Sequence, residues 1–93
     1  MPNIIKMPKR FDYSASSEFN GLLANIFSEH PNGTTVQLDC INMDYIDSAG
    51  IGLLVMAHKK AMTARSTIVL IGVKQSIKEI LMLANLQKLI EIK

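Results

Sequence analysis

Three segments of helical periodicity alternate along this chain with short strand-like runs, and the connections between them are only a few residues long. From Ser14 to His30, the residues Phe19, Leu22, Leu23, Ile26 and Phe27 fall at i, i+3, i+4, i+7 and i+8, one apolar face of a helix. Asp12 and Ser14 are candidate caps for its start, and Pro31, Asn32 and Gly33 cannot continue it. A second helix is expected from Ser48 to Ala64, on Ile51, Leu54, Val55, His58, Ala61 and Met62. In the third, Ser76 and Glu79 read as a capping box in front of Ile77, Ile80, Leu81 and Ala84, with Asn85 able to end it in a left-handed conformation.

Between these lie the strand candidates. "NIIKM" (3–7) is stopped by Pro8, and "TTVQLDC" (34–40) alternates apolar and polar residues with the period of two of a strand. "TIVLIGV" (67–73) is apolar almost throughout and β-branched, the pattern of a strand covered on both faces, and "LIEI" (89–92) is a last short candidate. Strand and helix in alternation imply crossover connections. The expected fold is therefore α/β: a small sandwich of three main helices on a mostly parallel sheet of about four strands.

Size and composition narrow the function classes. Ninety-three residues suit one domain, 1–93, and 48% hydrophobic with 19% charged residues is the make-up of a globular chain. The net charge is +2 with the cations dispersed, which argues against a nucleic-acid footprint. No run approaches the ~20 apolar residues of a membrane helix and the N-terminus lacks a signal-peptide core, so no direct membrane insertion and a cytoplasmic location are expected. One cysteine, Cys40, excludes an internal disulfide and suits a buried thiol in its strand. The methionines read as core fillers, and Tyr13 and Tyr45 as half-buried packing residues.

The informative stretch is "MDYIDSAGIG" (43–52), where Gly50 and Gly52 fall in the opening turns of the second helix. Each weakens a helix by up to about 1 kcal/mol relative to alanine, so another requirement must favour glycine there. A helix start also presents free N–H groups and partial positive charge, a seat for an anion. A nucleotide loop does not fit, because Leu53 and Leu54 stand where a Lys-Ser/Thr pair would follow and Val55 where a dinucleotide motif needs glycine. A serine nucleophile at Ser48 does not fit either. Ile46 replaces the first glycine of the nucleophile elbow, and His58 lies ten residues along the same helix, about 15 Å away. His30 is tied to Ser48 by no motif. Asp44 and Asp47 are ordinary turn acids, Asp47 being placed to cap the helix. No metal and no cofactor are expected.

The segment "YIDSAGIGLLVMAHKKA" resembles the signature of the STAS family, the domain of bacterial anti-sigma factor antagonists, in which a strand leads into D-S-[SA]-G-[LI]-G at a helix start. "RFDYSASSEFNGLL" (10–23) is similar to the family's segment around its first helix, and "SIKEILMLANLQKLIEI" (76–92) to its third helix and following strand. The resemblance implies a non-enzymatic switch. Ser48 matches the serine phosphorylated by an anti-sigma-type serine kinase, Asp47 the acid before it, and Asp12 an acidic position that contacts the kinase. A PP2C-type phosphatase would reset the domain. The implied partner-binding face comprises Asp12, Asp47, Ser48, Ala49, Gly50, Ile51 and Gly52, with the two glycines keeping the serine accessible, so that alanine at both should preserve or raise stability while damaging binding. An adaptor subunit of a transporter or signalling complex, with Ser48 unmodified, is the alternative. Two departures stand out: only "NIIKM" is available where the family has two strands before its first helix, and "TARST" (63–67) replaces a glycine pair after the second helix.

Overall fold

The computed structural model describes residues 3–93. Four parallel strands, β1 (Asn3–Lys6), β3 (Thr35–Asp39), β5 (Thr67–Ile71) and β6 (Glu91–Ile92), form a sheet in that spatial order. The connecting helices are α1 (Ser16–Glu29), α2 (Ser48–Thr63) and α3 (Gln75–Leu83). This is the α/β sandwich expected from the alternation. A second ribbon, absent from the expectation, pairs β2 (Arg10–Phe11) with β4 (Tyr45–Ile46) in parallel. The second strand before the first helix is thus present after all, in two residues.

The register explains the core. Ile5 pairs with Leu38, and Val36 and Leu38 with Ile68 and Leu70, so the apolar residues of each strand share one face. That face meets Phe19 and Leu23 of α1, Leu54, Ala57 and Ala61 of α2, and Ile77 and Leu81 of α3 in one buried cluster. The opposite face carries exposed Ile4, Lys6, Thr35 and Thr67. The expectation that residues 67–73 are covered on both sides is therefore corrected. On the open side Val69 is buried but stands outside the core cluster, flanked in register by Gln37 and Glu91.

Local signals held unevenly. Asn85 adopts a left-handed φ of 59° and ends the α3 region, where a 3-10 turn, Leu86–Lys88, leads into β6. The Ser76/Glu79 capping box does not form: α3 starts at Gln75, so Ser76 already lies within the first turn, and Lys74 occupies the cap position with no side-chain bond. The buried stripe of α2 runs through Gly50, Leu54, Ala57 and Ala61, leaving Met62 exposed. Met7 and Met43 fill the core as expected, whereas Met56, Met62 and Met82 lie on the surface. No helix of the described residues is long and apolar enough to cross a membrane.

Candidate functional site

The β2–β4 ribbon assembles the site. Its register pairs Arg10 with Tyr45 and Phe11 with Ile46, so the next residue of each strand, Asp12 and Asp47, leaves the ribbon side by side. Both acids have extended backbones and both initiate helical structure. Asp47 caps α2: its Oδ1 accepts a hydrogen bond from the Gly50 N–H at 3.0 Å, and its carbonyl accepts from the Ile51 N–H at 2.9 Å. Asp12 caps the 3-10 turn Tyr13–Ala15, its Oδ1 accepting from the Ser14 N–H at 3.0 Å and from the Ser14 hydroxyl.

Because Asp47 takes over the capping, Ser48 is released from that duty. It is the first residue of α2, exposed, and takes no part in the hydrogen bonds of the two caps. Ala49 and Gly52 are exposed beside it, Ile51 is half-buried, and Gly50 is buried. The two glycines consequently differ. A Cβ on Gly52 would meet nothing within 4 Å, but one on Gly50 would lie 2.2 Å from the Phe11 carbonyl oxygen and 2.8 Å from Ile46 Cγ1. The expectation that alanine at both positions preserves stability is corrected for Gly50, which lets α2 approach the β2 backbone.

The charges at the two caps are organised by Arg10 and, on the flank, Lys9, neither of which had an expected role. The Arg10 guanidinium lies over the Tyr45 ring, 3.8 Å from its centroid, and its Nε stands 3.5 Å from Asp12 Oδ2. The Tyr45 hydroxyl donates to Asp47 Oδ2 at 3.4 Å. The Ser14 hydroxyl, with further help from the Ser14 N–H and from Arg10, outweighs desolvation and holds the Asp12 carboxyl below its ordinary value. Lys9 and Asp44 form a looser pair at 3.9 Å on the flank. Tyr13 is 77% exposed, not half-buried, and Met56, one helical turn past Gly52, is also exposed. Ser48, Gly52 and Met56, spaced four apart and all exposed, thus run up the outer side of α2. Cys40 lies apart, buried in the core, with its thiol pushed up to about 12 by desolvation and by Asp39.

The segment 47–52 thus forms a capped helix start with an exposed serine and a glycine packed on a neighbouring strand. The family model described as Mlab, STAS domain matches residues 5–91. The chain belongs to the STAS family. Two solved structures of TM1081 share its fold. The crystal structure of this Thermotoga maritima protein, a candidate anti-sigma factor antagonist, superposes with a TM-score of 0.78 at 18% identity, covering 96% of this chain and 77% of that one. The NMR structure of TM1081 superposes with a TM-score of 0.80 at 20% identity, covering 97% and 71%. At these identities the likeness is one of fold.

Proposed function

We propose that this STAS domain is a phosphorylation-controlled binding module of the cytoplasm that acts by docking to protein partners rather than by catalysis. The observation that carries this reading is the exposed Ser48 hydroxyl, left outside the two caps at the positive end of α2. Unmodified, the face formed by Asp12, Asp47, Ser48, Ala49, Ile51 and Gly52 docks an anti-sigma-type serine kinase and so releases whatever that kinase holds. Gly50 contributes from beneath, by fixing the height of the helix. Phosphate on Ser48 adds about −1.5 to −2 charge next to Asp47, which disfavours a closely packed partner. The helix dipole favours the same charge by about 0.3 to 1 kcal/mol, so the modified domain stays folded and the switch is local. A PP2C-type phosphatase restores the docking form.

The test is incubation with the cognate kinase and ATP, followed by intact mass and fragment mapping. Addition of one phosphate at Ser48 supports the switch. A partner that binds tightly while Ser48 stays unmodified under all conditions replaces it with the adaptor reading, in which the same face is a fixed interface.

A further inference from the structure

β1 is an edge strand, since the sheet order β1-β3-β5-β6 pairs it on one side only. The Met7 N–H donates to the Asp39 carbonyl at 2.9 Å, which fixes the residues of β1 that face β3. Asn3, Ile5 and Met7 turn their backbone groups toward that neighbour. By alternation the N–H and C=O of Ile4 and Lys6 point outward from the sheet, and no loop or turn backbone among the described residues bonds them. On the helix side of this edge a cleft of about 370 Å³ opens between β1 and the first two turns of α1, with Met7, Phe19 and Leu22 in its wall. On the other side Ile4, 56% exposed, and Lys6 project from the open face of the sheet. An unpaired strand edge beside an apolar cleft is suited to accept an added strand: main-chain bonds supply affinity and alternate side chains supply selectivity.

We propose that this edge docks an extended, acidic segment of a partner protein, which adds to β1 as a further strand. One apolar side chain of the segment enters the cleft, and the acidic side chain beside it in sequence lies next to Lys6 on the open face. Charge decides between occupants. Lys6 forms no ion pair among the described residues, and its neighbour in register, Asp39, gives Oδ1 to the Ile41 N–H. Glu18 stands in the cleft wall and disfavours an acid there, which leaves the open side for it. Every charged residue from 3 to 10 is a cation, Lys6, Lys9 and Arg10, so a second copy paired along the same edge would bring like charges together. Pro8 has no N–H to give, and the added pairing is therefore short. None of this depends on the reading of Ser48.

The probe is the end-capped heptapeptide Ser-Thr-Glu-Phe-Val-Thr-Ser, with its reversed sequence for the other strand direction, titrated into the 15N-labelled chain. One of the two should saturate at or below about 1 mM, with amide shifts centred on Ile4, Lys6, Phe19 and Leu22. Exchange of the Ile4 and Lys6 amides with solvent, fast in the free domain, should slow at least about tenfold at saturation. The same peptide N-methylated at its three central residues should bind at least about tenfold more weakly, because its donors are gone. Lys6→Glu and Leu22→Asp alter exposed side chains and should keep the wild-type melting curve. Each should weaken binding, and a peptide with lysine in place of glutamate should recover the loss in Lys6→Glu. Equal binding of the N-methylated peptide, unaffected binding in both variants, shifts centred on the exposed Met82 and Leu83 of α3, or no saturation would each overturn the site. Protection of the Ile4 and Lys6 amides that rises with protein concentration alone would replace the partner with a second copy and so overturn it too. The experiment uses the unmodified domain without a kinase, so its failure leaves the Ser48 switch standing.

Discussion

Gly50 and Phe11 are in backbone contact: a β-carbon added at residue 50 would sit 2.2 Å from the Phe11 carbonyl oxygen. That carbonyl belongs to a strand held by Ile46 in register, so it cannot swing aside as a flexible side chain could. The helix therefore tolerates glycine in its first turn because anything larger would push it off the ribbon that presents Asp12 and Asp47.

From this follows a contrast between the two glycines. Gly50→Ala gains helix propensity of up to about 1 kcal/mol but incurs an overpacking penalty of about 1 to 3 kcal/mol or more. Chemical denaturation should show a lowered midpoint. Gly52→Ala, with open space around it, should raise stability by up to about 1 kcal/mol. Equal effects at the two positions would contradict the packing described.

The capping roles can be separated from the serine. Asp47→Ala removes the acceptor of the Gly50 N–H and should cost about 0.5 to 2 kcal/mol, whereas Asp47→Asn retains an acceptor oxygen and should recover most of it. Ser48→Ala should leave stability within about 0.5 kcal/mol, because the side chain lies on the surface outside the cap. Melting curves of the three variants decide the assignment.

Much of this arrangement could be read from the residues, and the exceptions have identifiable causes. The helices announced themselves because Phe19, Leu23, Leu54, Ile77 and Leu81 recur at helical spacing, and that periodicity survives any detail of packing. The β2–β4 ribbon did not. Two residues are too few to show alternation, and Arg10 and Tyr45 look like loop residues until their partners are known. Gly50 and Gly52 were indistinguishable in sequence for the same reason: what separates them is a carbonyl thirty-nine positions earlier in the chain. The open face of β5 was misjudged because Val69 is apolar, and a row flanked by Gln37 and Glu91 buries it without any helix above.

Asp12 supplies a pH signature. Its folded-state carboxyl lies below the ordinary 3.8, chiefly through the Ser14 hydroxyl, so the contact contributes stability that is present above that value and is lost as pH falls through the folded-state midpoint. A carboxyl-carbon NMR titration should place Asp12 below 3.8, and Ser14→Ala should move it upward. No movement in that variant would remove Ser14 as the cause.

Cys40 offers a test of the core. With 2% of its surface exposed and its thiol raised to about 12, the thiolate population at pH 8 is negligible. A maleimide or disulfide reagent should leave the native domain unmodified and react fully in denaturant. Rapid labelling of the folded chain would show that the segment just after β3 is not enclosed.

The final prediction concerns the switch itself. Ser48→Ala and Ser48→Asp both replace an exposed side chain at the first position of α2, and neither touches the Asp47 cap. Aspartate there is favoured by the helix dipole by about 0.3 to 1 kcal/mol, so its variant should be at least as stable as the wild type. Its effect on docking should be the reverse. A carboxylate beside Asp47 places like charges where a partner must approach Ala49 and Gly52 closely, and loss of about tenfold or more in affinity for the kinase is expected, while the alanine variant should bind constitutively and resist ATP-driven release. Calorimetry or surface plasmon resonance, paired with melting curves on the same samples, separates a charge effect from misfolding. Equal affinity of the two variants would turn Ser48 into a bystander on an adaptor surface.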